Sequence, residues 1–433
     1  MTEPEHVGSG AFRIDRKRAL ELLARYQLES PLHFPLAWAR AASAAQARSI
    51  ELVDGRERFS LEFDGAPFSE RELAGLLAAL PEETSEPRVR ELARGTAAAL
   101  SQVKAVTVHS GRAPARIALR ATVEGDTVER IDETAKRTIV TAHWPGGKRP
   151  KVFDGVIEAL RRRSFPGRLT LGGHVLGSVP PGYWQPFEEE GVRGCLAPSR
   201  LKDVSYLRLH HLGVECGKVV GELKDHAQVR AFVDSPELRL DLSQGSILRD
   251  ERYDATLGRV GRAADAFARD ALRRLSRVLP SLGEWLRDPV AYARWKEGIT
   301  GLAPEGGVDG VLLDAQRYFA LDAGSAAERQ LDLERWAPIV AWLRETALRL
   351  LGEGRRPQSE LERALWVAPL YLTVEGLPVS VDELERLRLR FGRLTVSERA
   401  YSGDPPLPPA VEVQDRRQML ELLVWPAGDR VNP

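Results

Sequence analysis

The chain reads as an α+β protein of more than one domain, and three observations predict this. Its 433 residues exceed what one ordinary core organises, so two or three domains are expected. Over the first 177 residues, helical periods and period-two runs follow in the order helices, hairpin, helix, helix, several strands, helix, strand. That is the pattern of helices packed on one face of a mostly antiparallel sheet. The proline- and glycine-rich stretch SVPPGYWQP (178–186) then separates this region from a second, β-rich one.

Residues 13–29 carry a helical period with Leu20, Leu23, Tyr26 and Gln27 near one face, and Pro31 and Pro35 interrupt it. A helix rich in small residues is expected from Leu36 to Arg48, where another element can pack very close. SIELVDG and ERFSLEFDG alternate around Asp54-Gly55, which reads as a β-hairpin. Ser69 with Glu72 three residues on is a capping box that opens a helix over 69–80.

A further helix is predicted over 89–103, then strands at 105–110, 115–123, about 127–132 and 137–144. WPGGKRP (144–150) is a turn, 151–163 an amphipathic helix, and 168–176 a closing strand and turn. Beyond the boundary, 206–223 and 227–235 are β-rich, while 254–279 and 323–352 are long Ala/Leu/Arg/Glu helices. The segment 366–425 mixes strand and helix. The expected domains are therefore 11–177, 187–279, 280–365 and 366–425.

Charge is balanced, with 62 basic and 62 acidic residues, so no global field draws the chain to nucleic acid or an anionic membrane. Only nine of the basic residues are lysine, a bias typical of a GC-rich bacterial genome. The N-terminus is polar and acidic without a signal-like apolar stretch, and no run approaches about 18 apolar residues. A cytoplasmic protein is the expectation.

Two stretches, far apart and in order, carry more specific information. LAWARAASAAQARSIELV…FSLEFDGAPFS resembles, in layout, the first ATP-site helix, strand and aspartate-glycine motif of the GHKL superfamily, in its HtpG-type heat-shock chaperone branch. VRAFVDSPELRLDLSQGSILRDERYDAT (229–256) is similar to the middle-domain segment of the same chaperones. The resemblance covers about a quarter of the chain. It implies a Bergerat-type α/β sandwich followed by a middle domain with a β-rich part, long helices and a small C-terminal α/β unit.

The resemblance also implies where a nucleotide site would stand. The family's glutamate base, magnesium-binding asparagine and aspartate fall on Ala37, Ala41 and Ala44. Asp64 and Gly65 occupy the adenine-contacting motif, but Ala66 and Phe68 replace its next two glycines. Gly95 resembles the last glycine of the phosphate-covering loop, and Thr138 stands where the family has a threonine near adenine. Ser243 matches the inter-domain loop, while Gln244 replaces the arginine that reaches the γ-phosphate.

These departures bear on chemistry. Alanine can neither accept a proton nor bind magnesium, and glutamine lacks the charge that speeds phosphoryl transfer. No catalytic residue and no metal are therefore expected, with ATP or ADP as the only candidate cofactor. The leading reading is an HtpG-like chaperone or scaffold that works through protein partners without hydrolysing ATP. The alternatives left open are a divergent ATPase recruiting Glu29 or Glu62, and a nucleotide-sensing switch. Asp64-Gly65 as a plain turn and Thr138 as a plain strand residue are equally at home in the pattern. The length after 254–279 is short for the family's dimerising C-terminal domain, so the resemblance carries no expectation about dimerisation.

Other constellations weigh less. Cys195, His210, His211 and Cys216 lack the paired spacing of a zinc knuckle. Ser110 and Ser243 lack a nucleophile-elbow pattern, and WPGGKRP lacks the P-loop frame. Arg161–Arg163 end a helix, where positive charge complements the dipole. Trp285, Trp295, Trp336 and Trp342 read as core of the helical region.

Overall fold

The computed structural model describes Leu28, residues 30–287 apart from 81–85, 180–183, 200–203, 242–243 and a few single positions, part of 342–351, and residues 356–372, 378–391, 395–396 and 410–411. The expected helix at 13–29 lies outside the described residues but for Leu28, as do Ser243, Trp295, Trp336 and most of the helix expected at 323–352.

Helix α1 spans Phe34–Ala44, beginning earlier and ending earlier than the composition suggests. Proline is tolerated in a first turn, where its missing N–H has no partner to lose, so Pro35 lies inside the helix and does not break it. The end is a Schellman turn. Ala47 donates to Ala42 and Gln46 to Ser43, with Gln46 left-handed at φ 59°. The hairpin forms as expected, with β1 (Ile50–Asp54) antiparallel to β2 (Arg58–Phe63). The Ser69–Glu72 capping box is present, but α2 lasts only Glu70–Ala74 before a 3-10 turn at Leu76–Ala79. Helix α3 covers Pro87–Leu100.

Strands β3 (Ala105–Ser110), β4 (Arg116–Ala121), β5 (Asp126–Ile131) and β6 (Thr138–His143) follow, then α4 (Asp154–Arg163), β7 (Leu169–Leu171) and β8 (His174–Leu176). Gly172 and Gly173, both at positive φ, split the expected closing strand into a short hairpin. Together they form an eight-stranded sheet in the order β5-β4-β3-β6-β2-β1-β7-β8, antiparallel except for β1 with β7.

The two faces of this sheet differ, as strand alternation requires. Phe59, Leu61, Phe63, Val140 and Ala142 are buried in one core with α1, α3 and α4. On the intervening positions polar side chains pair: the Ser60 and Thr141 hydroxyls at 3.0 Å, and the Thr107 hydroxyl with His143 Nε2 at 3.1 Å.

The second unit begins inside what reads as a boundary. Strands β9 (Gln185–Glu189) and β10 (Val192–Pro198) form a hairpin through Glu190 and Gly191, both at positive φ. With β11 (Tyr206–His211), β12 (Val214–Val220) and β13 (Val229–Asp234) they make a five-stranded sheet, order β12-β11-β13-β10-β9. Helix α5 (Glu251–Arg287), α6 (Glu360–Val367), β14 (Pro369–Leu372), β15 (Pro378–Ser380) and α7 (Val381–Phe391) follow, with short strands β16 (Thr395–Val396) and β17 (Ala410–Val411).

Buried residues from Val192 through Phe267, Leu343 and Leu365 to Leu384 belong to a single core, so the expected segments 187–279, 280–365 and 366–425 share one interior among the described residues. Trp342 packs partly buried against it, 6.4 Å from the Phe267 ring. The molecule is thus α+β with two large sheets. Among the described residues, no helix is long and apolar enough to cross a membrane.

Candidate functional site

Helix α1 has a single charged residue, Arg40, inside the run AWARAASAA. Ala37, Ala41 and Trp38 are fully buried, and Arg40 is only 2% exposed. Phe34, Trp38, Phe59, Trp144 and Phe153 form an aromatic cluster beneath the helix, with neighbouring ring centroids 4.7 to 6.5 Å apart. Small residues let α1 approach α3 closely, and Gly95 marks the point of contact. A Cβ built there would lie 2.3 Å from Trp38 Cδ1 and 2.6 Å from Nε1. Gly95 therefore makes room for an indole. Gly65 likewise sits against the end of α1, where a Cβ would meet the Ala45 carbonyl oxygen at 2.5 Å.

Asp64, just past β2, is exposed, and its Oδ1 accepts the Arg48 and Ser49 amides at 2.8 and 2.9 Å. The Ser49 and Arg48 amides hold its carboxyl below the usual carboxylate range. Thr138 is buried, and its hydroxyl pairs with Ser110 Oγ at 2.9 Å; the same Ser110 oxygen accepts the Phe68 amide at 2.8 Å. Phe68 is 1% exposed, with the Arg88 guanidinium 5.0 Å over its ring. Asp64, Thr138 and Phe68 thus each have a protein partner, and Gly65 and Gly95 are packed against protein atoms.

The polar chemistry lies instead at the seam with the second unit. The loop after β13 is tied by Asp241, whose Oδ1 accepts the Gly245 and Ser246 amides at 3.1 and 3.3 Å. At its tip Gln244 adopts φ 56° and is 6% exposed. A left-handed non-glycine residue costs conformational energy, so something must hold it. Its Oε1 accepts from Arg40 Nη1 at 3.1 Å, and its Nε2 donates to the Asp241 carbonyl at 3.0 Å. Burial lowers the Arg40 pKa, and Glu91 on α3 opposes that effect. Glu91 is itself 1% exposed and ion-paired to Arg94.

A second contact reinforces the first. The β11–β12 turn, Leu212-Gly213 at positive φ, inserts against the first unit. Phe165 donates its amide to the Gly213 carbonyl at 2.8 Å, Ser164 bridges to Val214, and Val214 is buried in the first core. Buried Asp234 accepts the Gly213 amide at 2.8 Å and the Arg193 guanidinium at 2.6 Å.

Burial, aided by the Arg40 charge, pushes the nearby His211 imidazole down to about 4, and burial pushes Cys216 up to about 12 and Cys195 up to about 11. These are a neutral base and protonated thiols, with His210 donating from Nδ1 to the Arg208 and Val233 carbonyls at 3.1 and 3.2 Å. No group of three or more metal-ligating side chains occurs among the described residues.

Sequence reasoning singled out Gln244, and His211 only as part of a zinc constellation, but neither Arg40 nor Glu91. The available signal was the lone arginine in an otherwise uncharged alanine-rich helix. No protein-family model matches the chain, and comparison with curated proteins returns no match.

Proposed function

We propose that this chain is a degenerate GHKL protein of the HtpG type. It acts in the bacterial cytoplasm as a chaperone-like or scaffold component, through protein partners and without hydrolysing ATP. One observation carries the reading: the loop of the second unit presents Gln244 to the helix bearing Ala37, Ala41 and Ala44, and meets Arg40 there. In the resembled family a cation on that loop meets nucleotide held by that helix. Here the cation is on the helix and its partner is an amide.

The placement of Asp64, Gly95, Thr138 and Phe68 against protein groups supports loss of the pocket, because each uses the capacity that a nucleotide would need. A joint made from the chain's own side chains suits a protein whose work is to hold partners in one arrangement.

Two measurements test this. Purified protein should turn over no ATP above background, with or without magnesium, and should suppress aggregation of a heat-denatured client equally with and without nucleotide. ATP turnover abolished by Asp64→Asn would overturn the non-hydrolysing reading. Failure to suppress aggregation, together with an empty affinity pull-down, would overturn the chaperone-like one.

A further inference from the structure

The run Arg161–Arg163 at the end of α4 is accounted for, at first sight, by the helix dipole. The dipole does not account for what faces it. Across the seam, Arg208 on β11 and Lys218 on β12 line the same cleft, a cavity of about 900 Å³ that also takes in His33, Tyr206 and Gly245. Two units of the fold therefore contribute cations to one concave space.

The carboxylates nearby are too few to neutralise them. Glu158 is shared by Arg161 at 3.9 Å and Arg162 at 3.6 Å, long contacts between exposed groups that contribute little. Glu215 is taken by Arg208, with Lys218 Nζ 4.0 Å away. Among the described residues, Arg161, Arg162, Arg208 and Lys218 thus share two acids, Glu158 and Glu215, in a chain whose total charge is zero. The carbonyls at the end of α4 do not cancel the surplus, since Arg208 donates to the Arg162 carbonyl at 2.6 Å. Arg161, Arg162 and Lys218 stay 56%, 71% and 56% exposed, so their charged ends can turn to a ligand.

We infer that this cleft binds a small ligand bearing two or more phosphate groups, held between the Arg161–Arg162 end of α4 and Lys218 of β12. Guanidinium forks match phosphate oxygens two at a time, and a lysine adds a point charge from the other wall. A concave site with low-dielectric walls concentrates the field that an open surface would lose to water. The concave shape suits a small polyanion better than a duplex, and a total charge of zero leaves no global positive field to gather nucleic acid. The inference does not depend on the proposed chaperone-like role, and the cleft is separate from the Asp64, Gly95 and Thr138 positions.

Inorganic tripolyphosphate, titrated calorimetrically into the full chain at low salt, is the probe. Saturable binding is expected, weakening steeply as salt is raised. Arg161→Ala/Arg162→Ala and, separately, Lys218→Ala should each weaken it at least about tenfold, whereas Arg130→Ala, on the distant β5, should leave it unchanged. Because the replaced side chains are exposed, unaltered thermal melting checks that the variants fold. ATP binding as tightly as tripolyphosphate would mean the phosphate chain alone is read, and tighter binding lost in the same variants would mean a nucleotide. No binding at millimolar tripolyphosphate would overturn the inference. So would equal binding by the cleft variants, or tighter binding of an acidic peptide or of nucleic acid.

Discussion

Where the family layout puts a nucleotide, the first unit has alanines, two glycines pressed against protein and an aromatic cluster, while the seam with the second unit buries Arg40, Glu91, Gln244 and His211. The first region gains from apolar packing that needs no partner. The second buries charge, which costs more for each buried atom left without a hydrogen bond, as Arg40 Nε and Glu91 Oε2 are. Polar interactions that elsewhere would serve a ligand are here made between parts of the chain itself. That difference predicts that the seam is the more sensitive to single changes, although the pocket region has the larger core.

The largest effect is expected at Glu91. Removing it by Glu91→Ala leaves Arg40 and Arg94 without their buried acid, and breaking such a pair typically costs about 3–5 kcal/mol. Denaturant unfolding measures it. A loss below about 1 kcal/mol, the scale of an exposed pair, would show that the seam is wetter than its burial implies.

His211 makes the seam pH-dependent. Its folded pKa of about 4 lies below the ordinary 6.5, so the unfolded chain binds the proton more readily between those values. Stability from this group is therefore present above about pH 6.5 and lost as pH falls toward 4. At about 1.4 kcal/mol per unit, the loss is on the order of 3 kcal/mol. The sign is opposite to that of a histidine salt bridge. His211→Asn should flatten the slope of unfolding free energy against pH in that window, leaving the part due to buried His210, whose pKa is also lowered by burial. An unchanged slope would place the titration elsewhere.

In the pocket region, Gly95→Ala sets two effects against each other. Alanine favours the helix by about 1 kcal/mol, but its methyl would meet Trp38 at 2.3 Å, and overpacking of this kind costs about 1–3 kcal/mol. A net loss is expected, becoming a gain when Trp38 is shortened to leucine. A double-mutant cycle reads this coupling directly. Stabilisation by Gly95→Ala alone would mean that the glycine keeps space open for something other than the indole.

Much of the first unit was legible in the sequence because its signals are local. Alternation marked 105–110 and 137–144, Asp54-Gly55 marked the hairpin, and Ser69 with Glu72 marked a cap. Pro35 concealed the first turn of α1, because proline is read as a breaker, yet at a helix start it fits. Strand β9 was hidden by Pro186 and the adjacent proline-rich stretch, although it pairs along its whole length with β10. The Arg40–Gln244 contact joins residues 204 apart, and no local pattern encodes which cation will meet which loop. Gln244 stood out through the resemblance; Arg40 acquired its meaning only from the packed structure.

The smallest effect is expected at Asp64, and it separates the two roles that this residue could have. As a turn residue its carboxylate caps the Arg48 and Ser49 amides beyond α1. Losing such a cap in Asp64→Ala should cost about 1 kcal/mol, within the range seen when helix-capping side chains are removed. Asp64→Asn keeps an oxygen in place and should cost less. Because the folded carboxyl is held below its ordinary value, the wild-type advantage over Asp64→Asn should be present above about pH 4 and vanish as the group protonates below it. As a nucleotide contact the same residue would behave differently. Its substitution would leave stability nearly unchanged without ATP and would remove an ATP-dependent rise in melting temperature. Melting each protein with and without nucleotide tells these apart: a cap lowers both curves together, whereas a ligand contact lowers only one. A nucleotide-dependent rise in the wild type that disappears in Asp64→Asn, while remaining in the Arg161→Ala/Arg162→Ala protein, would return the ligand to the first unit and make the filled pocket described here one of two states.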